Sequence, residues 1–346
     1  MRTARESSRL HAAVETLANR LRWQGAGCKV LGSPFYASLL ESAVVDLEAG
    51  GPTWSVLEGF EAEPRESAVA LRLLAPVHRK VLTGELPELG RHYPSIGGDG
   101  DATAAWPYFR EFVAGNEAWM REELKRPCQT NEVGRSAALF GGFLEVAHRT
   151  GKPLRILELG ASAGLNLRWD RYCYASGDGS WGDESSPVRF ANSFDVAPPM
   201  NRTADVVERK GCDLNPIDAT SDDGALTLRS FVWADQLARL TQLDGAIEVA
   251  RQMPVDVERI GAGDFLEREL FAPRPDVATV VYHSVFIQYV TESEKTRIAG
   301  AIAAGDAFYL RMEPAYPLFE VRLDDELLGT SHAHGTHVRW NLDSNS

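Results

Sequence analysis

The chain has 346 residues, 44% hydrophobic, 25% charged and 9% aromatic, with 30 Gly and 18 Pro. That length leaves room for a large α/β core plus a smaller helical domain, so two domains are expected. Its 36 Lys and Arg stand against 49 Asp and Glu, a formal charge of −13, which argues against a broad footprint on nucleic acid or anionic lipid. Cys28, Cys128, Cys173 and Cys212 form no Cys-x-x-Cys pair, so neither a zinc cage nor a disulfide framework is expected. Residues 1–10 carry no apolar h-region, and the weakly polar run around residues 277–291 is too short to span a bilayer. A soluble cytoplasmic protein is the expectation.

The first 130 residues read as helices. Leu10, Val14, Leu17 and Leu21 recur at helical spacing. Ser33-Pro34 offers an N-cap with Pro at the first helical position, and Phe35, Leu39, Leu40, Val44 and Leu47 continue the stripe to Gly50-Gly51. Leu73, Leu74, Val77 and Val81 mark another helix, which Pro76 kinks or starts. The loop Tyr93-Pro94-Ser95-Ile96-Gly97-Gly98-Asp99-Gly100 precedes an aromatic helix with Trp106, Phe109, Phe112 and Trp119, read as core packing. A helix from Asn131, carrying Val133, Ala137, Phe140, Leu144 and Ala147, stops at Gly151.

Beyond Gly151 the pattern changes to β-type runs at residues 154–159, 206–214, 255–260, 277–283 and 307–312, most of them separated by helical segments. Strands alternating with helices indicate a parallel sheet covered on both faces. Residues 319–323, 326–331 and 336–341 read as an antiparallel meander with turns at Asp324-Asp325 and His334-Gly335. The expected organisation is a helical domain, 1–130, followed by an α/β domain, 131–346.

The most informative segment is Glu158-Leu159-Gly160-Ala161-Ser162-Ala163-Gly164, a strand that breaks into small residues and re-enters a helix. Such a turn lets a ligand approach backbone N–H groups. Counting Gly-x-Gly-x-x-Gly from Gly160 puts Ser162 second and Leu165 third, which disfavours a dinucleotide site. Two functional readings remain beside a tight turn with no ligand. Glu-x-Gly-x-Ser-x-Gly resembles the first motif of class I S-adenosylmethionine-dependent methyltransferases, with Glu158, Gly160, Ala161, Ser162 and Gly164 against the cofactor. Gly160-Ala161-Ser162-Ala163-Gly164 also fits a nucleophile elbow with Ser162 as the nucleophile, and His332, His334 and His337 come late enough for the chain order Ser, Asp, His.

Two later segments favour the methyltransferase resemblance. Gly211-Cys212-Asp213-Leu214-Asn215-Pro216 resembles the end of that fold's second strand, where Asp213 would accept both ribose hydroxyls. Gly263-Asp264-Phe265 resembles the segment after the third strand, with Asp264 facing the adenine amino group. The resemblance implies a Rossmann-like class I methyltransferase fold, mostly parallel with an antiparallel end. Tyr93-Pro94-Ser95-Ile96-Gly97-Gly98, residues 129–139, 159–172, 177–183 and 211–218, and Leu310-Arg311-Met312-Glu313-Pro314 also make the chain similar to a bacterial family, the domain of unknown function 2332 family. That likeness implies the methyltransferase-like fold and no particular reaction.

The sequence departs from the methyltransferase pattern at Ser162, where a glycine is usual. From Gly164 to Asp213 there are 49 residues, 213 minus 164, where roughly half would suit a βαβ step. Residues 174–204, rich in Gly, Ser and Pro around Trp181, are the excess and read as a hairpin lid, a dimer arm or a passive surface insertion. Pro314-Ala315-Tyr316-Pro317 stands where a further helix is expected.

Methyl transfer is an in-line displacement, so the protein chiefly aligns donor and acceptor in a dry pocket. His283, at the fourth-strand end, is the candidate base, with a satisfied structural histidine as the alternative. Tyr289 follows it on the substrate side, in a segment unlike the Asp/Asn-Pro-Pro-Tyr of enzymes that methylate bases, which turns the expectation away from nucleic acid. Arg135 would reach the cofactor carboxylate bidentately, or simply sit in a surface ion pair. Asn131 and Glu313 are the other substrate-side candidates, Glu313 having a turn-capping role as its alternative. His332 and His334 would share a strand face, but with no carboxylate or Cys pattern nearby no metal is expected. The sequence therefore leads to a methyltransferase for a small or medium-sized molecule, with a serine hydrolase or a noncatalytic ligand-binding protein as alternatives.

Overall fold

The computed structural model describes residues 4–177 and 179–341. Asp178, inside the 177–183 segment, and the ends of the chain at 1–3 and 342–346 lie outside the described residues. The chain divides into two compact units, one running to Thr130 and taking back Leu226–Leu240, the other formed by Asn131–Ala225 and the chain from Thr241 onward.

The first unit is built from α1 (Ala4–Val30), α2 (Pro34–Glu48), α3 (Pro52–Leu57), α4 (Val69–Leu82), α5 (Pro87–Gly90), α6 (Ala102–Gly115) and α7 (Glu117–Glu123). The apolar stripes expected on α1, α2 and α4 meet in one core with Leu17, Leu21, Leu39, Leu40, Leu73 and Val77 fully buried. Local features refine the expected elements at three places. The Ser33 hydroxyl does not cap α2; it bonds to Asp235, whose other oxygen accepts the Phe35 N–H at 2.9 Å, so a distant carboxylate supplies the cap. Pro76 lies inside α4, which starts seven residues earlier at Val69. The aromatic helix is two helices, because the chain leaves helical geometry at Asn116.

The second unit begins with α8 (Arg135–Thr150) and β1 (Leu154–Leu159), followed by β2 (Cys173–Ser176), β3 (Gly179–Trp181), β4 (Arg189–Phe190), β5 (Phe194–Val196) and β6 (Val206–Asp213). Two helices, α9 (Asp222–Phe231) and α10 (Leu237–Gln252), run into and out of the returning segment. Then come β7 (Asp256–Arg259), α11 (Ala262–Glu269), β8 (Ala278–Ser284), α12 (Glu292–Ala304), β9 (Ala307–Ala315), β10 (Leu318–Leu323), β11 (Glu326–Ser331) and β12 (Val338–Trp340). The helix expected from Asn131 starts four residues later. The glycine turn after β1 leads into a kinked 3-10 segment, Leu165–Arg171, rather than an α-helix.

Among the described residues the main sheet has nine strands in the order β5-β12-β11-β10-β9-β8-β1-β6-β7. From β7 to β9 neighbouring strands are parallel; β9 to β12 form the antiparallel end. Period-2 alternation sends Leu157, Leu159, Cys212 and Val281 into a core with Phe265, Leu266 and Ile298 of α11 and α12. The opposite face carries Glu158, Tyr282 and Leu310 and meets α8, where the Tyr282 and Phe143 rings pack edge-on at 5.0 Å. A fully buried strand such as β1 is what parallel sheets covered on both faces require.

The 174–204 excess carries short strands of its own. β2 pairs with β3 and β4, while β5 joins β12 at the edge of the main sheet. Tyr174 stacks on Phe140 of α8 at 4.1 Å, and Trp169 stacks on Phe143 at 4.5 Å and on Trp181 at 5.4 Å. Each such pair adds about 0.5–1.5 kcal/mol beyond its area, which clamps the insertion to α8. No helix among the described residues is long and apolar enough to cross a membrane.

Candidate functional site

Parallel strands direct their carboxyl ends to one edge of the sheet, and a crevice opens where the strand order changes direction. Here the strand order changes direction at β1, flanked by β6 on one side and β8 on the other. The segment after β1 carries Gly160 at φ +66° and Gly164 at φ +65°. Both conformations favour glycine, and a Cβ at Gly160 would press on the Phe286 ring. Ser162 also takes a positive φ, +52°, and is buried. Ala161, fully buried, ties its N–H to the Cys212 carbonyl at 3.0 Å, locking the turn to the end of β6.

Asp213 ends β6. One oxygen accepts the Ser162 N–H at 2.9 Å and the other the Asn215 N–H at 2.7 Å. A carboxylate has about four lone-pair sites, so acceptor capacity remains at this partly exposed position. Asn131 secures the far side of the turn by accepting the Leu165 N–H at 2.9 Å. Asn166, next to Leu165, accepts the Ser136 hydroxyl at 2.7 Å, a tie between two segments 30 residues apart that only their pairing in the fold reveals.

Glu158 lies under this turn, fully buried. Burial pushes its carboxyl up to about 8; the Tyr282 hydroxyl partly offsets this, while the nearby Asp213 charge adds to the rise. At neutral pH Glu158 is therefore mostly a neutral acid.

His283 does not open to a ligand: it is fully buried. Its Nε2 lies 2.6 Å from the Tyr309 hydroxyl and its Nδ1 2.8 Å from Glu313 Oε1. Glu313 Oε1 also accepts the N–H groups of Phe286 (2.8 Å) and Ile287 (3.3 Å). Burial opposes ionisation of Glu313, but the imidazole and these two N–H groups outweigh it and hold the carboxyl below its usual range. The trio shapes the turn that presents Phe286 to Gly160. Tyr309 had a legible signal, since it shares the Glu313 strand face at period 2. The register against β8 that brings it to His283 was not legible.

The Arg135 guanidinium reaches the carbonyls of Ser284 (3.3 Å) and Ala333 (3.2 Å), joining the start of α8 to the end of β8. Asp264, in the first turn of α11, is 60% exposed and bonds Arg297 Nη2 at 2.5 Å. Phe265 is fully buried in the α11–α12 core, so it meets no ligand there. Tyr289 is exposed on the turn after β8. The structure thus gathers Glu158, Gly160, Ala161, Ser162, Gly164, Asp213 and Asn131 around one turn, with Arg135, His283 and Glu313 beside β8. Asp264 follows β7, next in the sheet to the Asp213 strand, while Phe265 faces the α11–α12 core and Tyr289 is exposed.

Of the three late histidines, His334 meets Glu132 while His332 and His337 adjoin each other. His334 Nδ1 is 2.9 Å from Glu132, His337 Nδ1 is 3.2 Å from Asp195, and the His332 and His337 rings are 4.6 Å apart. Among the described residues no three His, Cys, Asp or Glu side chains are arranged to hold a metal ion. Cys28, Cys128, Cys173 and Cys212 are free thiols.

No curated protein and no solved structure matches the chain. A family model described as an uncharacterized protein conserved in bacteria (DUF2332) matches residues 18–342, and the chain, matched over far more than half its length, belongs to that family.

Proposed function

We propose that the protein is an S-adenosylmethionine-dependent methyltransferase acting on a small or medium-sized molecule, with a Rossmann-like class I fold. The carrying observation is that the three motifs follow the carboxyl ends of three adjacent parallel strands, β1, β6 and β7. Numbered in chain order, the five parallel strands lie 3-2-1-4-5, the order of doubly wound nucleotide-binding sheets, whose ligands sit at the point of reversal.

The residues fit the cofactor in two respects. The Gly160–Gly164 turn places small residues at the carboxyl end of β1, and Asp213 retains acceptor capacity for a vicinal diol. When bound, the cofactor supplies an electrophilic methyl group. The chain's own part is to hold donor and acceptor in line, with Asp213 and the turn fixing one end and Arg135 close to the end of β8. Because His283 is buried, its role in this reading is to position Glu313 and the Phe286 turn. The acidic net charge and the absence of a base-methylating motif support a small-molecule acceptor over nucleic acid.

Titration calorimetry with S-adenosylmethionine and S-adenosylhomocysteine tests the proposal. Binding of either supports it; no heat from both at millimolar concentration rejects it. The positive φ of Ser162 favours a second reading, a serine nucleophile on a strained turn. Fluorophosphonate labelling lost in Ser162→Ala would replace the first reading with this one.

A further inference from the structure

A second serine stands outside this site, in the helical unit. Ser95 lies on the 3-10 turn Pro94–Ile96, partly exposed, within the Tyr93–Gly98 segment that methyl transfer leaves unused. Its Oγ is 2.9 Å from His78 Nε2, and His78 Nδ1 is 3.0 Å from the Ser230 carbonyl oxygen. A carbonyl only accepts, so Nδ1 carries the proton and Nε2 presents its lone pair. Ser95 must then donate its hydroxyl hydrogen to His78. Burial pushes His78 down to about 4, so the imidazole stays neutral and the acceptor persists through physiological pH.

His78 is fully buried on α4, and the Ser230 carbonyl arrives on the segment that returns to this unit. Tyr93 precedes the turn, with its ring 5.6 Å from the imidazole and a fully buried hydroxyl that has no hydrogen-bond partner.

We propose that Ser95 and His78 form a nucleophile–base pair that accepts an acyl group from a small activated ester. Ser95 Oγ adds to the carbonyl carbon while its proton passes to His78 Nε2. Collapse of the adduct breaks the bond to the leaving alkoxide, which takes that proton and departs as the alcohol. Water then adds to the acyl-serine by the same path, giving the carboxylic acid and restoring Ser95. With a backbone carbonyl behind it instead of a carboxylate, His78 is a weak base, which restricts the reaction to activated acyl groups. The pair is independent of the methyl-transfer reading.

The full-length protein is treated with 4-nitrophenyl acetate and with an alkyl fluorophosphonate, and the modified peptides are mapped by mass spectrometry. Ser95 is expected to be modified at least tenfold faster in the folded chain than in the same chain unfolded in urea. Ser95→Ala should remove this label and Ser162→Ala should retain it. His78→Gln, checked for folding by circular dichroism, should slow labelling at least tenfold; the urea comparison decides the matter if that variant does not fold. Absence of label at Ser95, or labelling no faster than in urea, overturns the proposal.

Discussion

The carboxylate of Asp213 accepts the backbone N–H of Ser162 at 2.9 Å, across 51 residues of sequence. One side chain thereby joins the carboxyl ends of β1 and β6 and fixes the turn that a ligand would approach. Asp213→Ala leaves two N–H groups without this acceptor. A stability loss of about 1–3 kcal/mol is expected, together with at least tenfold weaker binding of S-adenosylhomocysteine. Unchanged affinity by calorimetry would show that Asp213 does not hold the ribose.

Gly160→Ala combines a positive φ with a steric conflict at Phe286. A destabilisation of about 1–3 kcal/mol is expected in chemical denaturation. Adding Phe286→Ala in that background removes the clash between the two side chains but leaves the backbone strain, so it offers a partial rescue that no exposed control substitution should reproduce.

Acid sensitivity should trace to His78. Its folded-state value, about 4, lies below the ordinary 6.5 because burial disfavours the cation. The unfolded chain therefore takes up a proton first as pH falls. The stability that neutral His78 contributes is complete above about 6.5 and is lost as pH drops towards 4, on the order of a few kcal/mol. Denaturation midpoints of wild type between pH 7.5 and 4.5 should fall more steeply than those of a folded His78→Gln variant.

Glu158 predicts the opposite limb. Its value is raised to about 8 by burial, so its contribution is complete below the ordinary 4.5 and is lost as pH rises through 8. Glu158→Gln keeps the shape without the ionisation. It should flatten the loss of thermal stability between about pH 5 and 8, and an unchanged slope would assign that loss to other groups.

Tyr309→Phe leaves the buried His283 Nε2 without the hydroxyl now 2.6 Å away. A cost of about 1–3 kcal/mol is expected. Because Glu313 still holds the Phe286 turn, S-adenosylhomocysteine affinity should change less than in Asp213→Ala.

The sequence by itself determined the elements and the glycine turn. The apolar stripes of α1, α2 and α4, the buried run of β1 and the left-handed glycines Gly160 and Gly164 were legible because periodicity and backbone sterics are local. The motif carboxylate Asp213 could be located at a strand end for the same reason. Tertiary structure alone decided that Asp235 caps α2, that Leu226–Leu240 returns to the helical unit, and that the insertion packs on α8 through Tyr174 and Trp181. It also decided that His283 is sealed between Tyr309 and Glu313, and that Phe265 faces a core. Each of these depends on pairing between residues far apart in the chain, and register and burial are set by that pairing, which local patterns do not encode.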